Sequence, residues 1–413
     1  MAWIASVFVG AVVAATLTRA WLARRQIAAV RANRERVPEL FAQRITLDDQ
    51  RKAADYTAAR SKFSCVAAVV DALVWLGLTL GGGIAAADAA WHTTGLEQPW
   101  LGALVMGTVG LALQLIRLPL AAWRIFVLEG HFGFNRATPA LFAADFVKRT
   151  LLAGVLATPV TLGALWLMQH GGRAWWLTAW VGWAVFSFAL TWALPRFVAP
   201  LFNRFTPLDD GTLKSRVEDV LRRCGFAADG VFVMDGSRRS AHGNAYFTGL
   251  GRHKRIVLLD TLLDRLQVAE IEAVLAHELG HFRLHHIRCR LFVSLGVALA
   301  ALAAFAWAAQ QPEIYAALGV AAPTPQAAML LAALASQPFT FFITPLLAAW
   351  SRRHEFQADE FAVRHADGAA LGEALVKLYG GNAATLTPDV LHSAFYDSHP
   401  PPAARIARLP ARR

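Results

Sequence analysis

Seven stretches of this chain are long and apolar enough to cross a bilayer, and no other feature limits its folding as strongly. They cover about 2–23, 65–90, 100–123, 150–169, 175–198, 290–310 and 327–350. A spanning segment needs about 20 apolar residues in a helix, because the hydrocarbon offers its backbone no other hydrogen-bond partner. No positive segment precedes the first run and no small-residue cleavage site follows it. Arg24 and Arg25 come next instead, so it reads as a span and not as a cleaved leader. Composition agrees: 56% of residues are apolar and 17% charged, with a mean hydropathy of +0.40, more than a soluble core uses.

The loops give the orientation. Residues 24–62 carry ten Lys/Arg, 91–99 none, 124–149 four, 170–174 one, 203–289 more than ten and 311–326 none. Such alternation is the positive-inside pattern of an odd number of spans, with the N-terminus outside and the C-terminus cytoplasmic. It also accounts for the net charge of +11 without a nucleic-acid partner. Cys65, Cys224 and Cys289 form no C-x-x-C pair, which argues against a disulfide framework and a thiolate metal site.

The expected fold is therefore an α-helical integral membrane protein of seven spans with a small α+β insert. Residues 1–202 form a five-span region, 203–289 the soluble insert, 290–350 a two-span hairpin and 351–413 a cytoplasmic-side segment. Within the insert, 209–223 has helical spacing, and 231–234, 244–248 and 255–259 read as strands. Residues 268–287 follow as one helix. Asp71 and Arg117 lie inside antiparallel spans at similar depth, where a charge needs a partner or a water-filled space.

The chemistry sits on the 268–287 helix, in His277-Glu278-Leu279-Gly280-His281. Histidines at i and i+4 share a helix face, so both can reach one metal ion, and Glu278 beside them is placed to act as a general base. A third ligand is needed. His285 lies about 6 Å further along a straight helix, beyond the reach of a short metal–nitrogen bond. Glu355 and Asp359, also i and i+4, offer one carboxylate to the metal and one to the outer N–H of a ligating histidine. Glu355 is favoured, with His285 as the alternative, and the two motifs tie the site to the intervening hairpin, as one integrated domain would.

The blocks HELGHFRLHH, EFQAD, Phe126–Thr138, Ala199–Leu208, Asp235–Leu263 and Tyr396–Leu409 together resemble the M48 zinc metalloproteases, in their Ste24 (type I CAAX prenyl protease) branch. The resemblance implies one Zn²⁺ per chain on His277, His281 and Glu355, and a ring of helices around a hydrated chamber. It gives Asn244 a role in holding a substrate carbonyl and His399 one in stabilising an oxyanion, and it matches Arg405 to an arginine of the family motif. The implied enzyme is a zinc metalloendopeptidase acting as a monomer in the lipid bilayer on extended or misfolded polypeptides, or on CAAX-type substrates if eukaryotic. Ala/Arg richness points to a bacterial inner membrane. Three competitors are an intramembrane site-2-type protease, the four-span HtpX-like branch and a non-catalytic metal-binding scaffold. Glu270, Glu272 and Arg283 around the motif argue against the first, seven spans against the second, and Glu278 against the third.

Overall fold

The apolar runs become helices whose ends often differ from those of the hydrophobic stretches. A computed structural model describes residues 2–208, 211–226, 230–243, 245–248 and 255–410. Seven of its helices are long and apolar enough to cross a membrane. Helices α1 (Ala2–Ala32) and α2 (Leu47–Leu78) pack along each other. Thr46 starts α2: its hydroxyl accepts from the Asp49 N–H at 3.1 Å, and the Asp49 carboxylate accepts from the Thr46 N–H, satisfying donors that a helix start leaves free.

The second span differs from the 65–90 expected. Its helix begins at Leu47, ends at Leu78, and gives way at Gly82, which takes φ +75°. Helix α3 (Gly83–His92) then restarts the chain. Hydropathy does not register three consecutive glycines, but backbone freedom decides where a helix stops. Then come α4 (Trp100–Ala122), prolonged by a wider π-helical turn to Glu129, α5 (Pro139–His170) and α6 (Trp175–Ala193).

A hollow of about 1090 Å³ lies among α2, α4 and α5, lined by Asp71, Gln114, Arg117 and Arg149 among others. Arg117 donates to Asp71 from Nε and Nη2 at 3.0 and 2.7 Å. The two intramembrane charges thus find a partner and border a hollow lined by both charged and apolar side chains.

The insert builds four strands: β1 (Phe205–Pro207), β2 (Val231–Met234), β3 (Ala245–Thr248) and β4 (Arg255–Leu259), in the order β1-β2-β4-β3. Pairs β1–β2 and β3–β4 are antiparallel and β2–β4 parallel. Strand β1, three residues ending in a proline, is too short for an alternating pattern to show. Helix α7 (Gly211–Arg223) buries Val217, Val220 and Leu221 in the same core as Ile256 and Leu258 of β4. After α8 (Asp260–Leu263) comes α9 (Val268–Arg283), which carries the paired histidines. The expected helix over 268–287 is broken here: His285 adopts φ +60° and α10 (His286–Ala308) sets off anew. The last span is kinked, α11 (Pro325–Ala335) leading through short turns to α12 (Thr344–His365), followed by α13 (Gly368–Gly381). Ile271, Leu275 and Leu279 of α9 share one core with the sheet, with Leu371 and Leu375 of α13, and with Phe41 and Ile45 between α1 and α2.

Candidate metal centre

Two helices from opposite ends of the hairpin must almost touch to build this site. Helix α9 opens with a reciprocal cap in which the Glu270 carboxylate accepts from the Gln267 N–H at 2.8 Å and pairs with Lys377 of α13 at 2.7 Å. At Gly280 it meets α12 so closely that a Cβ there would lie 3.1 Å from the Ala358 Cα. Ala358 is fully buried. Small residues on both faces let the backbones approach, and that brings Glu355, one turn before Ala358, against His277 and His281.

The ligand geometry follows. Glu355 places Oε2 3.5 Å from His277 Nε2 and Oε1 3.3 Å from His281 Nε2. Three ligand atoms, one from each residue, all lie within 4.8 Å of one another. Ligands about 2.1 Å from a tetrahedral ion stand ~3.4 Å apart, which the two carboxylate–imidazole separations match. Charge fits as well. Three carboxylates (Glu278, Glu355, Asp359) face one guanidinium (Arg405), and the formal surplus of two negative charges matches a divalent cation. Burial disfavours a charged His277, but Asp359 and Glu355 outweigh it and push the imidazole up to about 9. The site is set up for positive charge.

The outer contacts fix the two imidazoles. Asp359 Oδ1 lies 2.8 Å from His277 Nδ1 and holds Nε2 toward Glu355. Arg405, 5% exposed, grips Asp359 through Nε and Nη2 at 2.8 and 2.5 Å. It also stands 3.4 Å from His277 Nδ1 and 3.9 Å from Glu355 Oε2, so it borders the ligand residues directly as well as through Asp359. On the other side His281 Nδ1 lies 3.0 Å from His286 Nδ1, and His286 Nε2 lies 3.0 Å from Gln357 Oε1. If His281 keeps Nε2 for a metal, its Nδ1–H donates to His286, and His286 Nε2–H donates to Gln357. In the sequence, His285 is weighed as a rival ligand and its neighbour His286 is given no role. The rule that a ligating histidine needs an acceptor on its other nitrogen would have singled out His286 for this role. His285 is exposed and makes no such contact.

Glu278 has no ion-pair partner among the described residues, and burial raises its carboxyl above the usual range. That is the direction a proton shuttle near neutrality requires. His399 approaches from the C-terminal segment with Nδ1 2.6 Å from Glu355 Oε2, while its side chain stays 64% exposed. Asn244 lies outside the described residues.

Comparison with known proteins covers nearly the whole chain. Residues 26–204 match the family of CAAX prenyl protease N-terminal regions with five membrane helices, and residues 207–413 match peptidase family M48. The chain belongs to the M48 peptidases. Within them it is a homologue of CAAX prenyl protease 1. The Schizosaccharomyces pombe protein named probable CAAX prenyl protease 1 is 30% identical over 399 residues, 92% of this chain and 83% of the relative. CAAX prenyl protease 1 of Saccharomyces cerevisiae is 34% identical over 322 residues, 74% and 71% of the two chains. The crystal structure of S. mikatae Ste24p superposes with a TM-score of 0.89 at 28% identity, covering 98% of this chain and 99% of that one. This M48 peptidase is thus a multi-pass membrane protease of the Ste24 branch. The seven-span match favours that branch over the four-span HtpX-like one.

Proposed function

We propose that this M48 peptidase is a zinc endopeptidase in which His277, His281 and Glu355 hold the metal and Glu278 moves the proton. Zinc, when bound, supplies Lewis-acid polarisation of a peptide carbonyl and acidifies water. Glu278 accepts the proton of the attacking water and returns it to the departing amine. Asp359, held by Arg405, keeps the His277 tautomer, and His286 does the same for His281. His399 is the exposed donor that turns toward the carbonyl oxygen as charge builds on it, and Asn244 holds a neighbouring substrate carbonyl. An extended substrate pairs with the outer strand β3.

The buried Glu355 bridging two histidines, with Glu278 beside it and without an ion-pair partner among the described residues, carries this reading. A structural metal site has no use for the free base. The substrates we propose are extended or unfolded membrane-associated polypeptides, cleaved by a monomer. The relatives' name makes a prenylated C-terminal peptide the comparison to run beside them. Loop charge supports an active site on the cytoplasmic face, and Ala/Arg richness supports a bacterial inner membrane although the relatives named above are eukaryotic. In a cysteine-free background, Thr93→Cys should react with an impermeant reagent outside intact cells and Ser215→Cys should not; the reverse pattern inverts the orientation. The central test is metal analysis of the purified protein together with hydrolysis of an unfolded peptide. Chelation should abolish cleavage and zinc should restore it. A protein that holds the metal and cleaves neither peptide class is a scaffold.

A further inference from the structure

We propose that Asn382 is a positioning residue for peptide hydrolysis: it anchors residues 241–243 so that β3, the outermost described strand, is offered in fixed register to an extended substrate. The inference rests on the peptidase reading above and names a residue that reading does not use.

Residues 241–243 lead into β3 without belonging to any strand or helix, yet each of their backbone polar groups has a partner. The Ala241 N–H donates to the Phe134 carbonyl at 3.1 Å, and the Ala241 carbonyl accepts from Arg265 Nη2 at 2.7 Å. The His242 N–H donates to Ser240 Oγ at 3.2 Å, and its carbonyl accepts from Thr261 Oγ1 at 3.0 Å. The Gly243 N–H donates to Asn382 Oδ1 at 3.0 Å, and its carbonyl accepts from Asn382 Nδ2 at 3.3 Å. Five of six partners are side chains. Irregular backbone left alone would need water or a neighbouring strand for these groups.

Asn382 does what a neighbouring strand would do, exchanging both hydrogen bonds with one residue as an antiparallel partner does. Its amide orientation is set, because Arg265 Nη1 also donates to Oδ1, at 3.3 Å. Gly243 suits the contact: a Cβ there would come 3.3 Å from Leu378 of α13. Asn382 stands at the C-terminal end of α13, the helix that packs on α9, and with Ser240 and His242 it also lines the hollow among the membrane helices. Strand β3 pairs with β4 on one side, and β3 itself lies beside α9. One side chain therefore ties the root of the outer strand to the helix layer that carries the paired histidines. A substrate strand added to β3 inherits its register from that tie, and small misplacements of a reacting bond are costly.

The test compares two peptides on the full-length, detergent-purified enzyme: a long unfolded one and a truncated form too short to pair along β3. Wild type should prefer the long peptide. Asn382→Ala should lose about tenfold in kcat/KM on the long peptide, mostly through KM, as two modest hydrogen bonds would give. On the short peptide it should stay within about twofold, with full metal content. Asn382→Asp keeps the acceptor for Gly243 and Arg265 but loses the donor, so it should fall between. Equal losses on both peptides overturn the proposal, as does loss of metal or folding by both variants. A wild type that binds the long peptide, read by fluorescence anisotropy, without cutting it sinks the peptidase reading, and the clamp is then judged by the same long-over-short ratio of affinities. A wild type that binds neither sinks both.

Discussion

The metal centre and the hollow among α2, α4 and α5 both hold charged side chains in pairs, but in opposite surroundings. At the metal centre the helices touch at Gly280 and Ala358, and Glu355 and Arg405 are 3% and 5% exposed. Glu355 and Arg405 are each held there by another buried group, His277 and Asp359. In the hollow, Asp71 and Arg117 also pair at 2.7 Å, yet their side chains remain 25% and 51% exposed. Packing excludes water from the first region and leaves room for it in the second. Loss of one partner should therefore be severe in one region and slight in the other, because a buried charge without its partner costs several kcal/mol and a solvated pair contributes about 0–1 kcal/mol.

The largest effect is expected at Glu355. Glu355→Ala removes the bridge between the two histidines, so metal content of the purified protein should fall toward zero and peptide cleavage with it. His285→Ala should keep both, since His285 starts a new helix direction instead of facing the site. Metal retained in the first variant and lost in the second would dismantle the ligand assignment.

Next comes Glu278→Gln, which keeps size and hydrogen bonding but removes the base. Zinc stoichiometry and melting should match wild type while cleavage drops by ~10²–10⁴-fold, the usual contribution of a positioned acid–base group. Equal turnover by the Gln variant would remove Glu278 from the reaction.

These two residues were legible in the sequence because their spacing alone carries the chemistry. His277 and His281 share a face at any helix position, and Glu355–Asp359 repeat the offset. The count of spans was legible too, since apolar length is a one-dimensional property. What the sequence hid depends on close approach or on backbone breaks. The stop at Gly82 and the left-handed His285 interrupt runs that look continuous by hydropathy. The contact of Gly280 with Ala358 looks like any Gly in any helix until the facing helix is placed. His286 and Gln357 act through space across 71 residues of chain, a distance no motif spans. Arg405 was found only as part of a family block. Its grip on Asp359 explains why an arginine is needed there.

A smaller effect is expected one contact behind the ligands. Asp359→Asn and His286→Ala each loosen one imidazole, and zinc affinity, read by competition with a chelator, should weaken by ~10–100-fold, as loss of such partners typically does. The Asp359 variant should also melt lower, because Arg405 loses a buried counter-charge; His286→Ala, although His286 is only 4% exposed, removes no such counter-charge. A Kd unchanged in both variants would mean that the protein packing alone orients the histidines.

The smallest effect is expected for Asp71 and Arg117, although both sit within spans where charge is rare. A buried pair so placed would punish either single mutation. The two side chains, however, line a hollow of about 1090 Å³ with Gln114, Arg124, Glu129 and Arg149, so a lone charge there can be solvated or can find a new partner. Asp71→Asn and Arg117→Gln should each shift stability by about 0–1 kcal/mol, with peptide cleavage close to wild type. The double variant should lie near the sum, with a coupling of similarly small size. High salt should reduce that coupling further, since water and ions reach the pair. If either single variant instead loses several kcal/mol while the double recovers it, then the hollow excludes water as thoroughly as the metal centre does. The contrast between the two regions would then collapse.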